Sequence, residues 1–136
     1  MRVMQEKIEV RLCTIGEIDK FGRTMFKRAV DVRRNAQAPL SHFRVGAALI
    51  PVGPQSEKRI QVGCNCEVGS YSQTIHAEGC AWSSMIAEFG TIRIARIAVV
   101  AAHEAAEVSF KFNGQNFVKV SQIMMPCGHC LQTLID

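Results

Sequence analysis

The stretch "HAEGCAWSSMIAEF", residues 76–89, is the segment from which the fold can be worked out. Its apolar residues recur at helical spacing, so one side of a helix is predicted to face a core, with Gly90 ending that helix. The same stretch begins with a histidine and a glutamate two positions apart, an unusual pair at the entrance to a core. The apolar stripe consists of Cys80, Ala81, Met85, Ile86 and Phe89.

Strand patterns flank this helix on both sides. Upstream, "FRVGAALI" (43–50) and "RIQVGCN" (59–65) predict two strands, and the prolines and glycine of "PVGPQSEK" between them predict the turn of a hairpin. Downstream, "IARIAVVAA" (94–102) is a nearly continuous apolar run, which is typical of a strand covered on both faces.

Further elements are predicted towards both ends of the chain. Residues 14–36 show helical apolar spacing, and Thr14 followed by Glu17 predicts a capping-box start. Residues 123–136, "IMMPCGHCLQTLID", predict a short strand that runs into a helix. Helix, two strands, helix, strand and helix is the order of a layered α/β fold.

Composition indicates one domain, residues 1–136, because 136 residues with 48% hydrophobic content build one core but not two. The net charge of +4 arises largely in the N-terminal helix, where a solvated face is expected rather than a nucleic-acid surface. No run of 18 apolar residues occurs, so we expect a cytoplasmic protein with reduced or metal-binding cysteines. The basic residues are Lys20, Arg23, Lys27, Arg28, Arg33 and Arg34.

Cys127 and Cys130 form the C-x-x-C of "PCGHC". Alone, this spacing fits half of a zinc ribbon, a redox pair or two core thiols. Cys64 and Cys66 are the other close pair, and their C-x-C spacing fits the second half of a zinc ribbon poorly. The cysteines outside the C-x-x-C motif are most simply small buried apolar residues: Cys13, Cys64, Cys66 and Cys80. His42, His103 and His129 are most simply solvent-facing or structural.

Taken together, H-x-E followed later by P-C-x-x-C is the signature of zinc-dependent nucleobase deaminases. His76, Cys127 and Cys130 would fill three tetrahedral positions of a zinc ion and leave the fourth for water, as catalytic zinc sites do. The metal would lower the pKa of that water toward about 7. Glu78, two residues after His76, is the candidate proton shuttle because it can face the water without binding the ion.

At these motifs the chain resembles the cytidine deaminase family over nearly its whole length. The matching segments are "SHFRVGAAL", "GCNCE", "HAEGCA" and "PCGHCLQ", in the order and approximate spacing of that family. The resemblance implies a three-layer α/β/α fold around a central mixed sheet, with one zinc ion per chain. It also implies hydrolytic deamination of cytidine or deoxycytidine, a reaction of pyrimidine salvage.

The resemblance further assigns substrate-binding roles. Asn65 and Glu67 would hydrogen-bond the ribose 3′-hydroxyl. Phe43 would pack against the pyrimidine ring, and the backbone of Ala77 would contact the base beside Glu78. These assignments make the substrate a free nucleoside, with neither a membrane nor a nucleic acid as an expected partner.

Assembly is a further expectation from the resemblance. The family usually continues past this last cysteine motif for additional elements, whereas this sequence stops at Asp136. Cytidine deaminases are dimers or tetramers whose sites borrow residues from neighbouring subunits. We therefore expect a homo-oligomer, tetramer or dimer, with the insert at residues 103–122 either near a subunit boundary or active-site mouth or forming a surface hairpin.

Other functions stay open at the level of sequence. The same chemistry could act on a related aminopyrimidine such as blasticidin S. It could also act on a base in nucleic acid, for which "FKFNGQNFVKV" (110–120) is the only basic and aromatic candidate. A non-catalytic zinc-stabilised domain is the alternative of another class, although a structural zinc has no need of Glu78.

Overall fold

The computed structural model describes residues 15–70 and 73–105. Short 3₁₀ turns lie at Ile15–Glu17 and Glu57–Arg59. The predicted strand and helix of residues 123–136 and residues 106–122 of the insert lie outside the described residues. The main elements are helix α1 (Lys20–Arg33), strand β1 (Phe43–Pro51), strand β2 (Gln61–Cys64), helix α2 (Ala77–Phe89) and strand β3 (Ile94–His103).

Strand β1 is the centre of a sheet whose order is β2-β1-β3. Its register places Gly46 opposite Cys64 on one side and opposite Val100 on the other. The predicted hairpin and the predicted third strand are therefore confirmed. Both pairings are antiparallel, so the parallel strand pair of the expected mixed sheet would have to involve chain beyond these three strands.

The two helices cover opposite faces of the sheet and make the predicted three layers. Successive side chains of β1 point to opposite faces, so alternate residues enter two different cores. On the α1 side, Met25 and Ala29 pack with Ala48 and Ile50. On the α2 side the buried cluster contains Ala47, Leu49, Ala77, Ala81 and Met85.

Glycines in the strands allow both helices to come close to the sheet. A Cβ atom added to Gly46 would collide with the carbonyl oxygen of Ala29 and lie 2.9 Å from the backbone nitrogen of Arg33. A Cβ atom added to Gly63 would collide with backbone atoms of Ala77 and Ala81. Backbone atoms cannot move aside as a flexible side chain can, so glycine is required at both positions.

Helix α1 starts later than the sequence pattern predicts. Asp19 is its N-cap, and the Asp19 carboxylate accepts a hydrogen bond of 3.0 Å from the backbone N–H of Gly22. The same carboxylate receives two hydrogen bonds from the guanidinium of Arg96 on β3, at 2.7 and 3.0 Å. The prediction of a helix from residue 14 was wrong, because a side chain with two partners, one of them on a distant strand, sets the start at Lys20. Thr14 of the predicted capping box lies outside the described residues.

Arg33 corrects the expectation of a fully solvated basic face on α1. It is only 5% exposed, whereas Lys20, Lys27 and Arg34 are exposed as predicted. Its guanidinium donates hydrogen bonds of 2.8 to 3.0 Å to backbone carbonyl groups at the ends of β1 and β3. Burial, reinforced by nearby Arg44, lowers the pKa of Arg33. Backbone carbonyl oxygens accept the hydrogen bonds of the buried Arg33 guanidinium. The positions of these acceptors cannot be predicted from a sequence pattern.

Helix α2 matches the predicted segment at both ends. His76 is its N-cap, and Gly90 ends it with a φ of 74°, a left-handed conformation that favours glycine. Within the predicted stripe Ala81 and Met85 are fully buried, and the other members are half-buried. No helix within residues 15–70 and 73–105 has the length and apolar character needed to cross a membrane.

Candidate active site

The candidate site lies at the N-terminus of α2. His76 occupies the cap position with φ of −82° and ψ of 152°, and its side chain makes no capping hydrogen bond to the helix that it starts. Glu78 follows in the first turn and is only 9% exposed. The positive end of the helix favours a carboxylate in this turn. An imidazole and a buried carboxylate therefore share one helix start.

A short ladder of backbone hydrogen bonds brings the "GCNCE" segment to this helix start. Cys66 exchanges two hydrogen bonds with Ile75, at 2.9 and 3.0 Å. On the other side, the N–H of Gln37 donates to the carbonyl of Asn65 at 3.1 Å, and the N–H of Glu67 donates to the carbonyl of Gln37 at 2.8 Å. Two motifs that are separate in sequence thus become neighbours.

The side chain of Asn65 is bound to the backbone of β1. Its Oδ1 accepts a hydrogen bond of 2.9 Å from the N–H of Val45, and its Nδ2 donates one of 2.9 Å to the carbonyl of Phe43. The residue is 8% exposed. The carboxamide therefore continues the β1–β2 pairing past Cys64, and its second Nδ2 hydrogen is a donor that a ligand could use.

The carboxylate of Glu67 binds the loop that precedes β1. Its Oε2 accepts hydrogen bonds from the N–H groups of Leu40, at 3.2 Å, and Ser41, at 3.0 Å. Its Oε1 accepts a short hydrogen bond from the Ser41 hydroxyl. Glu67 is 6% exposed, so these contacts compensate for the burial of a charge. A carboxylate offers about four lone-pair sites, which leaves acceptor capacity on Oε1.

Phe43 and Ala77 lie on the α2 side of the sheet. Alternation along β1 places Phe43 on the same face as Val45 and Ala47, which pack with α2. The Phe43 side chain is at the open end of that face and is 36% exposed. Ala77 is 1% exposed, so only its backbone is available to a ligand. Their substrate-binding roles stay predictions.

The structure does not test whether the predicted zinc ligands come together, because Cys127 and Cys130 lie outside the described residues. Within the described chain no group of three or more His, Cys, Asp or Glu side chains could hold a metal ion. His76 is therefore the one predicted ligand that the structure places.

Three cysteines correct a sequence expectation. Cys64, Cys66 and Cys80 were expected to be small buried residues, and each is a half-buried free thiol. Cys64 ends β2, an edge strand of the described sheet, and Cys66 follows it outside the sheet. Burial, with a smaller effect of the neighbouring thiols, raises the pKa of Cys64 and favours its neutral form.

Sequence reasoning missed Ser41 although it lies in the quoted "SHFRVGAAL". Its Oγ also accepts a hydrogen bond of 3.1 Å from the N–H of Phe43, as serine does in tight turns. The signal that could have identified Ser41 was the position of a hydroxyl side chain two residues before a predicted strand. His42 and His103 are exposed, as predicted.

The comparisons with known proteins agree with this arrangement. The model of the cytidine and deoxycytidylate deaminase zinc-binding region matches residues 20–136. The chain belongs to this family. The match includes both the helix start at His76 and the later cysteine motif, which are the two halves of the expected metal site.

A curated relative of this deaminase-family chain is similar to it in sequence at moderate identity. A cytidine deaminase of Mycobacterium tuberculosis strain H37Rv is 31% identical over 108 residues, which are 79% of this chain and 65% of that relative. The chain thus spans about two thirds of the length of this curated relative.

Solved structures support the same fold. The crystal structure of cytidine deaminase from Mycobacterium tuberculosis has a TM-score of 0.63 and 27% identity, over 86% of this chain and 77% of that one. The cytidine deaminase from Mycobacterium leprae gives a TM-score of 0.63 and 29% identity, over 85% and 79%. These similarities confirm the three-layer fold and the family expected from the motifs.

Proposed function

We propose that this family member is a zinc-dependent hydrolase that converts cytidine or deoxycytidine to the corresponding uracil nucleoside and ammonia in pyrimidine salvage. The observation that carries the proposal is the buried carboxylate of Glu78 in the first turn of α2, two residues after His76. Backbone hydrogen bonds between Cys66 and Ile75 bring the segment at residues 65–67, which carries an amide and a second carboxylate, to the residue before His76. Acid/base chemistry and polar recognition of a sugar are thereby combined at one place.

The donor set fits zinc as far as the described chain reaches. His76 stands at the start of α2 without capping it, and Cys127 and Cys130 would contribute two thiolates. One imidazole and two thiolates are donors that zinc prefers, and three protein ligands leave an open position. The ion, when bound, supplies Lewis acidity that makes water a nucleophile near neutral pH.

Glu78 would move the protons of the reaction. Its carboxylate would take a proton from the attacking water and give it to N3 of the pyrimidine as the hydroxide adds to C4. It would then take the proton of the new C4 hydroxyl and give it to the amine, so that ammonia leaves as the C4 carbonyl forms. Proton transfer of this kind contributes about 10²- to 10⁴-fold to a rate. The burial of Glu78 keeps competing water away from the carboxylate.

Substrate recognition would be divided between two surfaces. Phe43 and the backbone of Ala77 would contact the base, and Asn65 with Glu67 would bind the 3′-hydroxyl. When free cytosine binds, the second Nδ2 hydrogen of Asn65 and the remaining lone pair on Oε1 of Glu67 would be left without a partner. A site built for a hydroxyl rejects an analogue that lacks it by about 10⁴-fold.

The direct test is ammonia release from a panel of cytosine compounds. Cytidine and 2′-deoxycytidine should have kcat/KM values far above that of cytosine. Comparable values for cytosine and cytidine would overturn the nucleoside assignment. Release from blasticidin S alone, or from a single-stranded oligonucleotide alone, would support those alternatives instead.

Metal content tests the zinc assignment independently of activity. Elemental analysis of protein prepared without chelator should find one zinc ion per chain, and His76→Ala should reduce that content. Zinc-free protein that still deaminates cytidine would contradict the assignment. Zinc retained with a fourth protein ligand, without turnover, would favour the non-catalytic domain.

We also propose a homo-oligomer, tetramer or dimer. Leu40 and Ile75, beside the candidate site, expose 54% and 51% of their surface, and a second subunit could cover such apolar groups. Light scattering at assay concentration should report the oligomer. A fully active monomer would reject the assembly.

A further inference from the structure

Ser41 links the carboxylate of Glu67 to the first residue of β1. Its hydroxyl donates to Glu67 Oε1 and accepts from the backbone N–H of Phe43 at 3.1 Å. Its own N–H donates to Glu67 Oε2 at 3.0 Å. The Ser41 side chain therefore contacts both Glu67, which is proposed to bind the sugar, and Phe43, which is proposed to pack on the base.

The backbone of Phe43 is held from two directions. Its N–H donates to the Ser41 hydroxyl, and its carbonyl accepts a hydrogen bond of 2.9 Å from Nδ2 of Asn65. Ser41 and Asn65 thus fix the peptide groups on both sides of the Phe43 side chain. These two contacts fix the direction in which the Phe43 side chain leaves the backbone.

The intervening residue has a conformation that requires support. His42 has a φ of 57°, in the left-handed region that residues other than glycine rarely adopt. Its N–H donates to the carbonyl of Ala38 at 2.9 Å, and its carbonyl accepts from the N–H of Glu104 at 2.7 Å. The two hydrogen bonds that Ser41 donates to the carboxylate of Glu67 hold the same turn. Hydrogen bonds to other residues therefore maintain the loop, and the intrinsic backbone preference of His42 does not.

We propose that Ser41 is a specificity-determining positioning residue for the sugar hydroxyl; this inference rests on the proposed nucleoside deaminase function. Three of the roughly four lone-pair sites of Glu67 accept hydrogen bonds from Leu40 and Ser41. Ser41 thereby selects the site on Oε1 that remains for a 3′-hydroxyl. The same hydroxyl ties that carboxylate to Phe43, so sugar and base are aligned together.

Removing the hydroxyl should weaken recognition of the sugar more than it weakens turnover. In Ser41→Ala, Oε1 is no longer oriented and can accept water at either lone pair, so preorganisation is lost. A hydrogen bond to a charged group is worth enough that KM for cytidine should rise about 10-fold, with kcat changed less than about threefold. Turnover of 3′-deoxycytidine should suffer less, because it has no 3′-hydroxyl to be aligned.

The test compares kcat and KM for cytidine, 2′-deoxycytidine and 3′-deoxycytidine in wild type and variants. Ser41→Ala should lower the preference for cytidine over 3′-deoxycytidine about 10-fold, and 2′-deoxycytidine should behave like cytidine. Ser41→Thr, which keeps a hydroxyl, should retain most of the preference. Ser83→Ala, at an exposed serine of α2, is the matched control and should change nothing.

The outcomes separate this inference from the function on which it rests. An active wild type with an unchanged substrate preference in Ser41→Ala would overturn the role of Ser41 alone. Equal losses on cytidine and 3′-deoxycytidine would assign Ser41 a merely structural role and overturn the proposal as well. A wild type that deaminates no nucleoside would refute the proposed function, and the role of Ser41 would fail with it.

Discussion

Helices α1 and α2 pack on opposite faces of the same sheet, each over a glycine, yet their polar groups are used in different ways. Under α1, Gly46 permits close packing, and Arg33 directs its guanidinium to backbone carbonyls. Under α2, Gly63 permits the same approach, but the helix start holds the buried carboxylate of Glu78, and backbone hydrogen bonds bring the segment at residues 65–67 to that helix start. Close packing is common to both layers, whereas the candidate chemistry depends on what stands at one helix terminus.

The largest expected effect separates the two ends of helix α2 by their influence on kcat. Glu78→Gln should keep the fold and lose about 10²-fold or more in kcat, because an amide cannot carry protons between water, N3 and the amine. Glu88→Gln makes the same chemical change near the other end of α2 and should leave kcat unchanged. Steady-state kinetics with circular dichroism measures both. A Glu78→Gln variant that retains more than about a tenth of wild-type kcat would contradict the proton-shuttle role.

The two glycines allow a matched comparison of stability. Gly46→Ala and Gly63→Ala should each lower the free energy of unfolding by about 1–3 kcal/mol, because the added Cβ meets backbone atoms of the helix. Gly63→Ala should also reduce kcat, since it displaces the first turn of α2, whereas Gly46→Ala should not. Urea unfolding and kinetics on the folded protein measure these effects. Equal changes in kcat would remove the distinction between the layers.

A glycine within α2 should give a smaller effect of opposite sign. Among residues 15–70 and 73–105, a Cβ atom at Gly79 would meet nothing within 4 Å. Gly79→Ala should therefore raise the free energy of unfolding by about 0.5–1 kcal/mol, because alanine loses less backbone entropy in a helix. Urea unfolding of Gly79→Ala, with Gly63→Ala as the comparison, measures this difference in stability. Destabilisation would mean that another part of the assembly fills the space beside Gly79.

The smallest effect concerns the start of α1. The hydrogen bonds from Arg96, followed by that from Gly22, lower the pKa of Asp19 below its ordinary value of 3.8. Stabilisation by this carboxylate is therefore present above that value and is lost as pH falls through the lowered pKa. Asp19→Asn should melt below wild type near neutral pH, and the difference should disappear in strong acid. Asp31→Asn, which removes an exposed contact of 3.7 Å with Arg34, is the control and should show a smaller difference.

Local patterns predicted most of the elements that support the site. The bounds of α2, its glycine end, the β1–β2 hairpin and strand β3 all follow from side-chain periodicity and turn residues. The spacing of His76 and Glu78 also requires only the first turn of a helix. Interactions within a few residues decide these features, so they can be read without knowledge of distant contacts.

Side-chain patterns and motifs were sufficient to predict the layered order of elements, the family, and the position of a histidine and a glutamate at one helix start. Tertiary structure alone decided that Arg33 is buried, that Asp19 begins α1 by pairing with Arg96, and that Ser41 binds Glu67. These contacts join residues up to 77 positions apart, and no periodicity encodes which backbone groups will need a partner. For Arg33 and Glu67, burial makes unpaired polar groups costly, and only the assembled fold decides which groups are buried.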